Sequence, residues 1–237
     1  MFSAVRRVRV HLCAFAAAVL ATGLTAALGP DAHASQSVTV HPGMEVRHTE
    51  YRDEEAIVSR CTIGLTGSVG NARYGVTAGH CYRSGIITDA KGNSVGWYES
   101  QRPDDGMKFG FALLRLYDNV GVSASMGKFG LSSVDTKPRV GQEVCKVGAT
   151  TGWGCGKIIE VDDDYLYVDK SLGAEGGDSG AVVYRQTSDG HAAFVGILAA
   201  YDGDRDHAAV VEPAGRLFGQ IRRYGPTREN PFVWYRV

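Results

Sequence analysis

The chain has 237 residues, of which 44% are hydrophobic and 22% are charged, and its formal net charge at pH 7 is −1. This near balance of charge gives no electrostatic reason to expect a nucleic acid or an anionic membrane surface as a partner. The length is sufficient for one sizeable domain or for two small packed barrels.

The N-terminal segment has the pattern of a secretory signal peptide. Three arginines in the first nine residues precede an uncharged stretch over 12–28 and the small-residue sequence Ala32-His33-Ala34. We therefore predict a signal peptide over 1–34, cleavage before Ser35 and a secreted, extracellular protein. A membrane span is the alternative, but the apolar stretch is near the lower length limit for a span and rich in alanine, and no second apolar run follows it.

Beyond this segment, short apolar runs alternate with turn-forming Gly, Asn and Asp residues. Many brief strands with turn signals between them predict an all-β barrel or sandwich. The predicted strands include 85–88, 111–116, 157–161, 165–168, 181–184 and 193–198. The triple aspartate at 162–164 is predicted to be a hairpin tip.

One helix is predicted near the C-terminus, from about Pro213 to Arg223. Leu217, Phe218 and Ile221 fall on one face at helical spacing, and Gly225-Pro226 provides a stop signal. We expect this helix to act as a cap or brace.

Four cysteines remain after the predicted cleavage site, and an even number in an exported chain predicts two disulfides. They are Cys61, Cys81, Cys145 and Cys155. Three pairings are possible; Cys61 with Cys81 and Cys145 with Cys155 are preferred because each closes a short loop that a hairpin can bring together. A zinc site that uses these cysteines with His80 lacks a close Cys-x-x-Cys pair. We predict no metal and no cofactor.

Two short motifs point to nucleophilic catalysis. TAGHC at 77–81 contains His80, and GGDSG at 176–180 contains Ser179. A serine hydroxyl is a poor nucleophile until an imidazole takes its proton, so each motif explains the other. Either alone is a weak signal, because a histidine beside a cysteine and a glycine-rich turn both occur in ordinary structures.

Taken in order, four blocks resemble the chymotrypsin-like serine peptidases, and more closely their secreted bacterial branch, the streptogrisins and alpha-lytic protease. The blocks are 61–65 with 77–81, 144–156, 176–180 and 195–198. The resemblance implies a single peptidase-like domain over 35–237 with two six-stranded antiparallel β-barrels. Barrel 1 is expected over about 35–130 and barrel 2 over about 131–237, with His80 and Ser179 facing each other across the cleft.

The same resemblance implies roles for residues around Ser179. The backbone N–H groups of Gly177 and Ser179 are expected to form an oxyanion hole. Asp178 is expected to be a structural acid. Its partner in the bacterial branch is a basic residue after the first cysteine of a hairpin, here Lys146, so no proteolytic activation is needed.

The chain departs from the family pattern at the triad acid. Relatives carry an acidic residue two positions before the Ala-Leu-Leu strand, where this sequence has Gly110. Loss of that carboxylate's function typically costs about 10⁴ in turnover. Asp104 and Asp105 lie slightly upstream; they are either part of a solvated loop or, given a bend, substitute acceptors for His80. Gly110 itself is also consistent with a strand bulge.

Specificity is predicted from the expected pocket wall. Gly173 occupies the base position where trypsin-like members have an aspartate, so cleavage after Lys or Arg is not expected. Ala199, Ala200 and Tyr201 form the other wall; Tyr201 either projects across the mouth and favours small side chains, or faces outward. The alternating acids Asp202, Asp204 and Asp206 lack the glycine and closing glutamate of a calcium loop and favour a solvated turn.

Two functions follow. The first is a secreted serine endopeptidase with an acyl-enzyme mechanism, impaired to the extent that Gly110 removes the triad acid. The second is a catalytically degenerate homologue that binds peptide or protein without cleavage. An α/β-hydrolase esterase is a weaker third, because Ala181 replaces the last glycine of its motif. The expected partner is a polypeptide, with no nucleic acid, no membrane after signal cleavage and a monomeric state.

Overall fold

The described residues of this computed structural model, 38–103, 109–162 and 164–237, form eighteen short β-strands and one α-helix. The strands are β1 (Thr39–Val40), β2 (Glu45–Arg52), β3 (Glu55–Thr62), β4 (Leu65–Val69), β5 (Ala72–Ala78), β6 (Ile86–Asp89), β7 (Ser94–Gln101), β8 (Phe111–Leu116), β9 (Gly121–Val122), β10 (Ser125–Met126), β11 (Phe129–Val134), β12 (Glu143–Gly148), β13 (Gly152–Val161), β14 (Leu166–Val168), β15 (Val182–Gln186), β16 (Ala192–Asp202), β17 (Ala208–Pro213) and β18 (Phe232–Trp234). The helix is α1 (Ala214–Tyr224), and one-turn 3₁₀ segments lie at Gly79–Cys81, Lys170–Leu172 and Gly203–Arg205. The predicted all-β class and the C-terminal helix are confirmed.

The N-terminal strands close into a six-stranded antiparallel barrel. Its order is β5-β8-β7-β6-β2-β3. β3 continues through a bend at Ile63 and Gly64 into β4, which pairs with β5 and closes the ring. Backbone hydrogen bonds continue both ladders through the bend, from Ile63 N to Met44 O (2.9 Å) and from Gly64 N to Val76 O (2.8 Å). The core of this barrel includes Val46, Ile63, Val95 and Leu114.

The C-terminal strands form a second six-stranded antiparallel barrel. Its order is β16-β15-β12-β13-β14-β17, and β16 also pairs with β17, which closes the ring. β16 is buried from Ala192 to Ala199, because one of its faces contributes to the barrel core and the other to the contact between the barrels. The barrel core includes Val144, Ile158, Val183, Val195 and Val211. The predicted two-barrel fold is confirmed.

A third hydrophobic cluster lies between the barrels and fixes the cleft. The first barrel supplies Leu65 and Phe111, and the second supplies Phe194. Leu217 and Ile221 of α1, both fully buried, complete the cluster. Side chains of this size each contribute about 1.5–3 kcal/mol when buried, so the helix braces both barrels.

The far half of the β2–β3 hairpin extends beyond the first barrel and is exposed; we call the whole hairpin, residues 45–62, the ribbon. Its tip residues Asp53 (φ +48°) and Glu54 (φ +69°) both take the left-handed conformation, as a two-residue type I′ turn requires. Side chains from 51 to 58 are exposed. The base of the ribbon, in contrast, packs beside His80.

Both preferred disulfide pairings are confirmed. Cys61, near the end of β3, is bonded to Cys81, and Cys145 of β12 is bonded to Cys155 directly opposite on β13. The first bridge ties the turn that carries His80 to the base of the ribbon.

Candidate active site

His80 follows β5 on a one-turn 3₁₀ segment. Its neighbours Gly79 and Cys81 are buried, whereas His80 is exposed. The Cys61–Cys81 disulfide and a hydrogen bond from Gly79 N to Gly110 O (2.8 Å) fix the backbone on either side. The imidazole is therefore presented to the cleft from a well-anchored turn.

Ser179 lies in a tight turn before β15. The N–H of Asp178 donates to the carbonyl oxygen of Glu175 at 3.0 Å. Gly177 (φ +102°) and Gly180 (φ +86°) flank this turn in backbone conformations that favour glycine. The shape of the turn thus requires Gly177 and Gly180, whereas a Cβ on Gly176 would meet nothing within 4 Å.

The turn of Ser179 is docked directly onto the strands that lead to His80. The N–H of Thr62 donates to the Ser179 carbonyl oxygen at 2.8 Å. A Cβ on Gly180 would lie 2.0 Å from Thr77 Oγ1, so only glycine permits this approach. These contacts bring together two motifs that are about a hundred residues apart in sequence.

His80 and Ser179 line one cavity of about 760 Å³. Ala199, Ala200 and Tyr201 of β16 contribute to its wall, in the order in which the sequence has them. Tyr201 is 51% exposed and stands at the rim. A polypeptide segment fits a cleft of this size.

Lys146 and Asp178 form a fully buried ion pair beneath the turn. Lys146 Nζ lies 3.8 Å from Asp178 Oδ2, and both side chains have no exposed surface. Lys146 also donates to Thr151 Oγ1 and to the carbonyl oxygen of Gly152 (2.8 Å). A buried charge pair of this kind persists only when its remaining donors and acceptors are satisfied.

Four donors converge on the Asp178 carboxylate. Oδ1 accepts from the backbone N–H groups of Thr150 (2.8 Å) and Thr151 (3.1 Å), and Oδ2 accepts from Thr151 Oγ1 (2.6 Å) and Glu175 N (3.2 Å). Burial raises the pKa of Asp178, but these hydrogen bonds and the charge of Lys146 outweigh it and lower the pKa below its ordinary value. Burial lowers the pKa of Lys146, and Asp178 opposes that effect.

The peptide units around Ser179 have fixed orientations. The Gly176 carbonyl accepts from Thr150 Oγ1 (2.8 Å), and the Asp178 carbonyl accepts from Ala181 N (2.8 Å). Because C=O and N–H point in opposite directions in a trans peptide, the N–H groups of Gly177 and Ser179 point away from these partners. Within the described residues, neither N–H donates to a backbone carbonyl.

Gly110 has no room for a side chain. A Cβ at this position would lie 1.9 Å from the carbonyl oxygen of Arg102 and 2.9 Å from the carbonyl carbon of Pro103. The backbone at 102–103 therefore occupies the space that an acid at Gly110 would need. The two alternative acids, Asp104 and Asp105, lie outside the described residues.

Gly173 lies beside the cavity. It ends the 3₁₀ segment Lys170–Leu172 with φ +66° and lines a neighbouring hollow of about 500 Å³, which shares Tyr201 with the main cavity. Nothing lies within 4 Å of a Cβ built on Gly173. In the nearby acidic turn, Asp202 Oδ1 accepts from Asp204 N, and Asp206 pairs with Lys170 at 2.8 Å.

Several residues of the site were not predicted. Thr62 donates to the Gly177 carbonyl oxygen (2.8 Å) and accepts from Ala149 N (3.0 Å), so it connects the first barrel to the nucleophile turn and to the β12–β13 hairpin. Phe109, Tyr165 and Tyr167 line the cavity. No local sequence signal marks these residues, because their partners are distant in the chain.

No protein-family model matches the chain. The chain is 29% identical over 202 residues to the uncharacterized protein Rv1815 of Mycobacterium tuberculosis, which covers 81% of this chain and 86% of that protein. It is 30% identical over 195 residues to Serine protease 1 of Rarobacter faecitabidus (73% of this chain, 34% of that protein). It is 29% identical over 136 residues to Streptogrisin-C of Streptomyces griseus (51% and 29%). The last two proteins are much longer than the matched region.

Among solved structures, the fold is similar to that of Thermobifida fusca Protease A, with a TM-score of 0.59 and 18% identity over 84% of this chain and 100% of that chain. It is also similar to that of Nocardiopsis protease, with a TM-score of 0.60 and 21% identity over 83% of this chain and 99% of that chain. At these identities the likeness concerns the fold.

Proposed function

We propose that this chain, which has the chymotrypsin-like fold and is similar in sequence to bacterial serine proteases, is a secreted serine endopeptidase. One observation carries the proposal. Ser179 and His80 line the same cavity, and the turn of Ser179 is hydrogen-bonded to the strand end that is tied to His80 by the Cys61–Cys81 bridge.

In the proposed reaction, Ser179 Oγ attacks a peptide carbonyl while the imidazole of His80 takes the hydroxyl proton. The C–N bond then breaks, and His80 gives the proton to the leaving amine. Water repeats the sequence on the acyl-enzyme, releases the acid and restores Ser179. The N–H groups of Gly177 and Ser179 hold the developing oxyanion, an interaction worth about 10²–10³ in rate per donor.

We further propose that an acid in the segment after Pro103 orients His80 in place of a residue at Gly110. Arg102 N donates to Phe111 O (2.8 Å), and Gly110 O accepts from Gly79 N, so the segment leaves and returns beside the turn of His80. Asp104 is two residues from Arg102, a span of about 7 Å for an extended chain. Asp104 and Asp105 are the acids of the sequence between Pro103 and Phe109.

The labelling rate of Ser179 by a fluorophosphonate tests the catalytic proposal. Wild type is expected to label, Ser179→Ala to remain unlabelled, and Asn at one of Asp104 or Asp105 to slow labelling by up to about 10⁴, as loss of a triad acid does. The other Asn variant is the matched control. Unlabelled wild type that binds peptide without cleaving it would favour the degenerate binding module.

The cavity wall suggests a preference on the acyl side of the substrate. Gly173 supplies no carboxylate, so we do not propose selective cleavage after Lys or Arg. Tyr201 lines the cavity and is half exposed, and we propose that it narrows access to the cavity. Tyr201→Ala should therefore raise kcat/KM for substrates with a large residue before the scissile bond relative to those with alanine. Unchanged relative rates would show that Tyr201 faces solvent during catalysis.

Export is part of the proposal. The two disulfides fit an oxidising compartment. Among the described residues, no helix has the length and apolar character of a membrane span. The prediction of a signal peptide over 1–34 concerns residues outside the described ranges. N-terminal sequencing of the protein from culture medium should begin at Ser35, whereas a membrane-retained chain beginning at Met1 would contradict export.

A further inference from the structure

A second cavity shares His80 and Ser179 with the first. It has a volume of about 250 Å³ and lies between the base of the ribbon and the Cys61–Cys81 disulfide. Its cationic lining comes from Arg47, Arg60 and Arg83, and we call it the arginine pocket.

The two cavities carry opposite charge. Among the described residues, no Asp or Glu lines the arginine pocket, whereas Glu175 and Asp202 line the larger cavity and no Lys or Arg does. Asp202 is paired with Arg205 (3.6 Å) and Arg47 with Glu45, so the difference in charge between the two cavities comes chiefly from Glu175 on one side and from Arg60 and Arg83 on the other. A peptide that crosses from one cavity to the other over Ser179 therefore meets different charges on its two halves.

The ribbon holds two of these arginines in an unfavourable arrangement. Arg47 and Arg60 are directly opposite each other in the β2–β3 register, where like charges destabilise a sheet. Glu45 pairs with Arg47. Within the described part of the chain, no carboxylate pairs with Arg60, which is exposed. An anion bound between the two strands would relieve this repulsion.

Arg60 and Arg83 are also close to the reacting groups. Arg60 Cβ lies 3.8 Å from the position that a Cβ on Gly177 would occupy, beside the proposed oxyanion donors. Arg83 donates to the carbonyl oxygens of His80 (2.8 Å) and Tyr82 (2.7 Å) through one nitrogen. A guanidinium has five N–H donors, so Arg83 retains donors for a ligand.

In a substrate bound at Ser179, the scissile peptide bond separates an acyl half from a leaving half. The larger cavity contains the β16 wall that the family resemblance assigns to the acyl half. The arginine pocket lies on the other side of the shared residues His80 and Ser179. We infer that the arginine pocket binds the leaving half and selects substrates with Asp or Glu in the first residues after the scissile bond. This inference rests on the proposed endopeptidase function.

The test compares two peptides that have the same acyl half and carry either Glu or Lys at the second position after the scissile bond. At low ionic strength, kcat/KM should favour the Glu peptide by about tenfold, since each exposed ion pair is worth up to about fivefold. The ratio should approach one in 1 M salt, where the Debye length is about 3 Å.

Arg60→Gln should lower the Glu-to-Lys ratio by about three- to fivefold. Arg52→Gln is the matched control, because Arg52 lies at the tip of the same ribbon and pairs there with Glu50. The control should keep the wild-type ratio. A wild-type ratio near one at low salt, or equal effects of the two substitutions, would overturn the inference.

The two levels of proposal fail in different ways. If fluorophosphonate does not label Ser179 and neither peptide is cut, the endopeptidase proposal fails. Binding of the same uncut peptides to Ser179→Ala, measured by fluorescence anisotropy, then tests the arginine pocket alone. Tighter binding of the Glu peptide supports it, and equal binding rejects it. Cleavage without charge preference rejects only the arginine pocket.

Discussion

Gly110 lies where two backbone segments meet beside His80. The Arg102 carbonyl oxygen lies 1.9 Å from the position of a Cβ on Gly110, so the backbone leaves no space there for an acidic side chain. From the family resemblance alone, Asp at this position would be expected to restore a triad. Because of this close approach, we expect instead that Asp at position 110 disturbs the neighbouring backbone and does not restore a triad.

Gly110→Ala and Gly110→Asp should each destabilise the fold by about 1–3 kcal/mol or more, because the backbone at 102–103 must shift. Neither should accelerate labelling of Ser179. Urea unfolding measures the first effect. Gly219→Ala is the control, because Gly219 lies inside α1 and a Cβ built on it meets nothing within 4 Å. This substitution should raise the free energy of unfolding by about 0.5–1 kcal/mol. Faster labelling of Ser179 in Gly110→Asp would contradict this prediction, because it would show that the backbone at 102–103 can move to admit the side chain.

Asp178 should make stability depend on pH in the acid range. Its folded pKa is lowered, whereas an unfolded aspartate titrates near about 3.9. Below that value the unfolded chain binds the proton first, so the contribution is complete above about pH 4 and is lost as the pH falls through the folded pKa.

Asp178→Asn should therefore cost about 3 kcal/mol near pH 7, because it also leaves Lys146 buried without its counter-charge. The difference from wild type should shrink as the pH falls from 4 to 2, measured by urea unfolding. Ser179→Ala, one residue away, should follow the wild-type curve. If the difference in free energy of unfolding between the two proteins did not change with pH, protonation of Asp178 would not contribute to acid unfolding.

At the scale of elements, two hairpins support the site from opposite sides. The β12–β13 hairpin supplies Lys146 and the donors of Thr150 and Thr151 to Asp178. The β2–β3 ribbon supplies the arginine pocket and, at its end, Thr62. From the first barrel, the Thr62 side chain bonds both the nucleophile turn and the β12–β13 hairpin.

Thr62→Val tests this connection, because it keeps the shape and removes the hydroxyl. Two hydrogen bonds of a buried group are lost, so the free energy of unfolding should fall by about 2 kcal/mol. Labelling of Ser179 should slow as the turn loosens. Thr66→Val is the matched control: Thr66 is equally buried and donates to Ser123 O (2.8 Å) away from the cavity. It should lose stability but keep the labelling rate; equal labelling in both variants would count against the connection.

At the scale of the whole molecule, the candidate site is assembled from both barrels. Among the described residues, the cation beside Asp178 is Lys146, 3.8 Å away on β12. We therefore propose that no terminal amine is needed to hold the nucleophile turn. The interbarrel cluster and α1 hold the two halves of the cleft in register.

Consequently, protein that begins at Ser35 and protein with an extra N-terminal tag should label at Ser179 at equal rates. Lys146→Met should reduce labelling in both forms, because the turn loses its buried partner. Labelling that appeared only after tag removal would indicate a terminal amine in the site.

Local patterns predicted much of this molecule. Strand-length apolar runs predicted an all-β barrel or sandwich, and the periodicity of 213–223 and the cysteine spacing predicted α1 and the preferred disulfides, because these signals depend on residues that are near in sequence. The two-barrel architecture came from the family resemblance. The pairing of TAGHC with GGDSG likewise located the candidate site, through the chemistry that a serine nucleophile needs.

The sequence by itself, read with its family resemblance, therefore determined the fold class and the covalent bridges, and it named the two side chains that we propose to react. Only the tertiary structure decided that Gly110 has no space for an acid, that Thr62 joins the barrels at the nucleophile turn, and that three arginines gather on one side of Ser179. The reason is physical: each of these features depends on the approach of atoms from distant segments, at distances set by packing of the barrels and not by any local pattern.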